Sequence, residues 1–411
     1  MDSAPIVPTP LRVVMVVPTY LPESYGGAEQ QCRKLCSALD GLGLDVTIIA
    51  PRLQADTARK ETHGRTHIER LRVRRAPNLG GRHMASFLMW SAKLAWRLMT
   101  KRRDYDIIHV IHGRLHAVPA AIAGHMLGKP VLIKLGRGGS HFDLKAVKEK
   151  RLGGPLFWRA VNKLPTGFIA NSREIVDDLR ADGIQDVRIH RLPNGVEVPS
   201  ADMRRRDRVF GEPHVQFLYI GRLDPEKALD RMIRGFATLG SDTRARLRLV
   251  GHGACREQLQ ALVDRLNLSA LVEILPPVAD VGPLLREADF HVSTSVSEGM
   301  SNALLESMSW GTPPVVSRVS GVDDIVRHDT SGFVFEAGDD DAFVTTLRRA
   351  IAMTPDQWQG MSTAAFETAR ERFSIEGVAV RHVAIYRSLL RDVARAGNAA
   401  AVERGHSHPR P

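Results

Sequence analysis

Four charged residues in the second half of the chain combine types and spacing that could hold an anion and hydroxyl groups together. Arg222 and Lys227 follow the apolar run "VQFLYIG" (215 to 221), and Glu298 and Glu306 bracket the uncharged "GMSNALL". Two cations at the exit of a buried strand suit a diphosphate, one as a planar fork and one as a compact point charge. A carboxylate accepts two hydroxyl hydrogen bonds and so reads a polyol. On one continuous helix the two glutamates would sit about 80° apart, off a common face. "FHVSTSVSEGMSNALLESM" instead predicts a strand, a turn and a helix beginning near Ser301. Glu298 then lies in the turn and Glu306 one to two turns into the helix. The amides of Gly299, Met300 and Ser301 face a ligand in that arrangement, as helix N-termini face phosphate. One carboxylate near the anion and one farther along fit hydroxyl recognition better than paired acid–base hydrolysis. The competing reading makes Glu298 a helix cap, Glu306 a solvated charge, and Arg222 and Lys227 surface partners of Asp224 and Glu226.

Other candidates carry less chemistry. Gly26 and Gly27 stand just before a helix, where backbone N–H groups can approach an anion. The surrounding "PTYLPESYGGAEQQ" lacks the G-x-G-x-x-G fingerprint of dinucleotide enzymes. Gly251 and Gly253 in "LVGHGACRE" offer a second close backbone approach to a ligand. His109, His112 and His116 have neither an acidic nor a cysteine partner in the sequence pattern, so no metal site is expected. "GDDDAF" (338 to 343) reads as helix capping. Cys32 and Cys36 read as small buried helix residues, because no second ligand pair follows them.

The elements that must position these residues alternate. "RVVMVV", "DVTIIA", "HIERLRV", "DIIHVI", "PVLIKL", "GFIAN" and "DVRIHRL" read as strands, with helices from Gly27 to Leu42, 84 to 103, Ala117 to Leu127 and Ser172 to Ala181. Ser172 with Glu174 forms an N-cap and acidic first turn. After a turn-rich stretch at 193 to 214, read as a linker, the alternation resumes. It runs through "VQFLYIG", "RLRLVG", "LVEIL", "ADFHVSTS", "PPVVS" and "GFVFE", with helices from Glu226 and Ala254. Near-continuously apolar strands separated by helices mean parallel sheets covered on both faces. The fold class is therefore α/β with two doubly wound domains, expected at 1–199, completed by a helix at 376–394, and at 200–375. The tail 395–411 is small, charged and proline-ended and is expected to be disordered.

Composition bounds the rest. The chain has 411 residues, more than single cores usually reach. Three cysteines fit a reducing compartment, and the N-terminal stretch lacks the basic region of a secretory signal, so a cytoplasmic location is expected. No apolar run is long enough to span a bilayer. The net charge of +11 favours an anionic partner. Nucleic acid is not expected, since no basic stretch is interleaved with aromatics. The segment "MASFLMWSAKLAWRLMTKRRDYD" (84 to 106) is apolar, tryptophan-bearing and basic at its end, which suits either a core helix or one lying on an anionic membrane surface.

Taken together, "GGAEQ", "NSREI", "LPNGV", "YIGRLDPEKALD", "LVGHG", "SEGMSNALLESMSWGTPPVVS" and "DTSGFVFEAGD" resemble the family 4 retaining glycosyltransferases, over about residues 11 to 390. The resemblance implies the GT-B architecture, two Rossmann-like domains facing a cleft. The first would hold the acceptor and the second a nucleotide sugar, with the last helices crossing back to the first. It implies diphosphate binding by Arg222 and Lys227, sugar reading by Glu298 and ribose binding by Glu306. It further implies phosphate contacts from Gly26, Gly27 and the amides at Gly299, Met300 and Ser301, with the base near Val278. The donor would be a UDP- or GDP-sugar, with no further cofactor or metal. The acceptor would be a glycan or a lipid-linked hydroxyl, in polysaccharide or lipopolysaccharide assembly at the inner face of the cell membrane. Transfer would proceed with retention. A nucleotide-sugar epimerase, a phosphorylase and a non-catalytic sugar-nucleotide-binding subunit are the alternatives on the same architecture. Two positions depart from the pattern. Ala228 follows Lys227 where the family has glycine, and Gly136 stands where many members carry a histidine. His112, His116 and His141 are the candidates to serve the acceptor in its place.

Overall fold

The computed structural model describes residues 10–73, 84–139, 142–151, 153–204, 209–240 and 242–406. They fall into two compact units, Met1–Pro193 with Val378–Pro411, and Asn194–Gly377. The first change of unit lies six residues before the boundary expected at 199.

The sheet of the first unit contains β1 (Arg12–Val16), β2 (Asp45–Arg52), β3 (Lys60–His63), β4 (Thr66–Arg72), β5 (Ile107–Ile111), β6 (Val131–Lys134), β7 (Gly167–Ala170) and β8 (Ile189–Arg191). Its order is β3-β4-β2-β1-β5-β6-β7-β8. Every pairing is parallel except β3 with β4. Strand β3 was not expected, because "KETH" has no apolar pattern. It forms by hairpin closure through Gly64, whose φ of +56° suits glycine. β5, β6 and β7 are buried throughout, which explains their unbroken apolar runs. Their side chains pack with Trp90, Leu94 and Leu98 of the helix Met84–Thr100.

The final helix runs Ile375–His406 and rejoins the first unit, where the Tyr386 hydroxyl lies 2.7 Å from Nδ1 of buried His109. It continues through residues expected to be disordered. The alanine-rich "AGNAAAVER" has no proline and favours helix. Residues 407–411 lie outside the described ones.

The second unit has β9 (Val215–Ile220), β10 (Ala245–Val250), β11 (Val272–Leu275), β12 (Phe290–Ser293), β13 (Pro314–Arg318) and β14 (Phe333–Glu336), all parallel, in the order β11-β10-β9-β12-β13-β14. Phe217, Phe236, Phe290 and Phe343 pack in one core cluster. A second cluster gathers Met300, Leu304, Leu305, Met308, Val316 and Phe373.

The stretch read as a linker is partly built into this unit. Val196 is buried in the second cluster and exchanges backbone bonds with Phe373 and Ile375, both 2.8 Å. Its turn-former content hid a single bridge that a periodicity argument does not detect.

Among the parallel strands of each sheet the order reverses at one place, between β1 and β5 in the first unit and between β9 and β12 in the second. Loops leaving the carboxyl ends of such strand pairs form the crevice where α/β sheets bind ligands.

Candidate functional site

In the second unit, both site loops leave the strands at the switch point. After β9 the chain passes Gly221 and Arg222 and makes a single 3-10 turn, Pro225–Lys227. Ala228 follows at φ +47° and opens the helix Leu229–Ala237. The glycine-to-alanine departure therefore sits where the backbone is left-handed, a region that costs an L-residue about 1–2 kcal/mol. The loop after β12 secures this turn. Thr294 Oγ1 donates to the carbonyls of Ala228 (3.0 Å) and Lys227 (3.2 Å), and the Val296 amide donates to Glu226 O at 3.1 Å.

The consequence is an ion pair between Lys227 Nζ and Glu298 Oε1 at 2.5 Å, with side chains only 12% and 18% exposed. Ser295 Oγ donates to the same carboxylate oxygen at 2.9 Å. A pair so withdrawn from water is costly to break from one side. It places a cation able to take a phosphate directly beside a carboxylate able to take sugar hydroxyls. Arg222 is half exposed and ion-paired to both Asp224 and Glu226, so it also has the surface partners of the competing reading. The Tyr219 hydroxyl fixes its backbone by donating to Arg222 O at 2.8 Å. Burial, and secondarily the Glu298 charge, push the Tyr219 hydroxyl well above the usual phenol range.

The turn after Glu298 is as expected from the sequence. Ser301 caps the helix Asn302–Ser309, its Oγ accepting from Leu304 N at 3.3 Å. The amides of Gly299, Met300 and Ser301 have no acceptor among the described residues. Leu304, Leu305 and Met308 turn into the core, and Glu306, five positions into the helix, stays partly exposed. Asn194 clasps the turn from behind, its Nδ2 donating to Met300 O (3.3 Å) and Asn302 Oδ1 (2.9 Å). Val278 lies in the loop after β11, an edge strand two places from β9, and is 42% exposed.

Gly251 and Gly253 have a structural use. A Cβ at Gly251 would lie 1.8 Å from Gly221 O, and one at Gly253 2.4 Å from Leu223 O. Their bareness lets the loops after β9 and β10 pack backbone on backbone, so the close approach expected for a ligand is made by the chain itself.

The first unit contains the other candidates. Gly26 caps the helix Gly27–Gly41. The carboxylate of buried Glu29 folds back beside it, held by the hydroxyls of Thr19 and Ser24, and a Cβ on Gly26 would lie 2.5 Å from Glu29 Oε2. That N-terminus already carries an anion from its own chain.

His112 follows β5 with φ +69°. Its Nδ1 lies 3.4 Å from Oδ2 of fully buried Asp143, which also receives Gly136 N at 2.8 Å and Arg114 Nε at 3.1 Å. Burial alone would raise the Asp143 carboxyl. The bonds from His112 and Gly136 and the Arg114 charge outweigh it and hold the group well below the usual carboxylate range.

His116 is fully buried, its Nε2 donating to Ile111 O at 2.7 Å, and burial pushes it down to about 3. Full burial removes it as a ligand contact; it is a core residue that ties the loop to β5. His141 lies outside the described residues. Among the described residues no three His, Cys, Asp or Glu side chains gather as metal ligands would.

Asn194, Glu29, Thr294 and Asp143 escaped the sequence reading. Asn194 had a signal, since "LPNGV" is part of the resemblance. Asp143 had none, because its partner is 31 residues away.

Comparison with known proteins places the chain. A family model described as Glycosyl transferase 4-like domain matches residues 26–195, and one described as Glycosyl transferases group 1 matches 214–353. The GDP-mannose-dependent alpha-mannosyltransferase of Mycobacterium tuberculosis is 26% identical over 367 residues, 86% of this chain and 91% of that protein. N-acetyl-alpha-D-glucosaminyl L-malate synthase of Bacillus anthracis is 24% identical over 301 residues, 72% of this chain and 77% of the relative. Anabaena HepE in complex with UDP superimposes with a TM-score of 0.73 at 18% identity, covering 92% of this chain and all of that one. Sucrose-phosphate synthase of Thermosynechococcus elongatus gives 0.74 at 20% identity, covering 93% and 100%. With both units matched by glycosyltransferase family models and the GT-B fold shared with these structures, the chain belongs to the group 1, family 4 glycosyltransferases.

Proposed function

We propose that the protein moves a hexosyl unit from a UDP- or GDP-sugar to a hydroxyl of a glycan or lipid-linked acceptor, with retention at the anomeric carbon. The observation that carries this reading is the Lys227–Glu298 pair beside the amides at 299–301, which have no acceptor among the described residues. The diphosphate bonds to Lys227, Arg222 and those amides, Glu298 accepts hydroxyls of the transferred sugar, and Glu306 accepts the ribose hydroxyls. The acceptor oxygen forms its bond to the anomeric carbon as the bond to the diphosphate breaks. The electron pair leaves on the diphosphate, and the acceptor's proton passes to a phosphate oxygen on the same face. Such a step depends on electrostatic support of the leaving group more than on a protein nucleophile. Glu298 is engaged by Lys227 and Ser295, which suits it to hydroxyl reading. Relatives named for UDP-galactose and GDP-mannose donors support the nucleotide diphosphate class.

The test is consumption of UDP-glucose, UDP-galactose, UDP-N-acetylglucosamine and GDP-mannose by the wild type and by Glu298→Ala, Lys227→Ala and Glu306→Ala. Normal turnover by all three variants would overturn the site. Nucleotide binding without turnover by the wild type would favour a non-catalytic subunit, and donor isomerisation an epimerase.

A membrane-held acceptor is favoured by one surface. The helix Met84–Thr100 exposes Leu88 (56%), Trp96 (69%) and Met99 (37%), followed by exposed Lys101, Arg102 and Arg103. No helix among the described residues is long and apolar enough to cross a membrane, so this face would lie on an anionic bilayer. Failure to sediment with phosphatidylglycerol vesicles at low salt would count against it.

A further inference from the structure

The first unit holds an imidazole prepared for a hydroxyl ligand. His112 is the first residue past β5, at the switch point between β1 and β5. Its φ of +69° is one that a non-glycine residue keeps only where its surroundings enforce it. Two contacts do so. Its amide donates to Lys134 O at 2.8 Å, and its Nδ1 faces Asp143 Oδ2 at 3.4 Å.

Asp143 is fully buried and receives Gly136 N and Arg114 Nε as well. A carboxylate that already takes Gly136 N and Arg114 Nε only accepts, so in the neutral imidazole the proton belongs on Nδ1, facing it, and the lone pair on Nε2. Nothing among the described residues bonds Nε2, and the side chain is 24% exposed. The loop after β6 is cut back to seat the ring, since a Cβ at Gly136 would lie 2.3 Å from His112 Cε1. The imidazole occupies the space that a side chain at 136 would take.

We infer that His112 orients the acceptor hydroxyl, its Nε2 accepting the O–H while Asp143 holds the working tautomer. The inference rests on the glycosyl-transfer reading above. Asp143 is a positioning residue, acting through His112. The O–H bonds Nε2 while the acceptor is seated and turns to a phosphate oxygen as the bond to the anomeric carbon forms, so the proton still leaves with the diphosphate.

The wild type is screened with the four donors named above against octyl α-glucoside and octyl α-mannoside, with donor hydrolysis, water serving as acceptor, followed in parallel. The best donor is then used with His112→Asn, which tolerates a left-handed backbone, and with Gly136→Ala, which crowds the ring without touching it chemically. Both variants are expected to lower kcat/KM for the acceptor at least tenfold and to leave UDP or GDP affinity within twofold. A purely structural role would instead shift donor and acceptor constants together. Long-range nitrogen NMR of the wild-type imidazole is expected to show the proton on Nδ1. Transfer at the wild-type rate by His112→Asn, or a proton on Nε2, would overturn the inference. A wild type that neither binds nucleotide nor consumes donor would overturn the glycosyl-transfer reading instead, and the NMR result would still judge the imidazole.

Discussion

The switch points of the two units are built from the same parts and used differently. Each sends a strand into a loop that ends at a helix N-terminus. In the first unit the helix at Gly27 begins over its own buried carboxylate, Glu29, and His116 is sunk into the core. In the second, the amides at Gly299–Ser301 have no partner among the described residues, and Lys227 and Glu298 compensate one another at the same edge. A helix N-terminus is therefore not enough to mark a phosphate site; what the chain has already placed there decides. Charges held in mutual pairs can exchange partners when a ligand of both signs' complement arrives, whereas a buried carboxylate under a helix cannot.

Four substitutions and one change of pH break or sharpen this contrast. Lys227→Ala is expected to lower turnover about 10²- to 10³-fold, the usual effect of removing one preorganised group from a developing negative charge, read by steady-state donor consumption. Glu29→Gln should leave turnover far closer to wild type.

Acid should separate the units next. Burial pushes His116 and His382 of the first unit down to about 3 and His109 well below its ordinary value, whereas His291 of the second is pushed down to about 4. The unfolded chain takes these protons first, near pH 6.5. Their contribution is thus whole above that pH and drains as pH falls toward the folded values, by about 1.4 kcal/mol per pH unit for each group. Between pH 7 and 4.5, amide protection relative to the intrinsic exchange rate at each pH is expected to fall in the first unit before the second, and the reverse order would contradict it.

Asn194→Ala should cost the second unit about 1–2 kcal/mol, the value of buried hydrogen bonds to the Met300 turn, measured by urea unfolding. Ala228→Gly, the smallest effect, should relieve left-handed strain and raise stability by up to about 1 kcal/mol.

Much of this was readable from residue order because it depends on near neighbours. The unbroken apolar runs of β5 and β6 announce strands buried on both faces, and "SNALLESM" announces a capped helix with Leu304, Leu305 and Met308 inward. Pairing across long separations was not readable. Asn194 reaches Met300 across 106 residues, and Asp143 organises His112 and Gly136 through bonds no spacing rule anticipates. β3 escaped because a hairpin, not side-chain burial, makes it a strand. Gly251 and Gly253 were expected to approach a ligand, and the close partner the structure gives them is the backbone of Gly221 and Leu223.

The central claim is that the nucleotide diphosphate binds at the carboxyl end of the second sheet. Hydrogen exchange with and without saturating UDP, and again with GDP, tests it directly. Slowed exchange is expected in peptides covering 221–228 and 297–303 with at least one of the two nucleotides. Protection by neither, or protection confined to residues 1–193, would contradict the account.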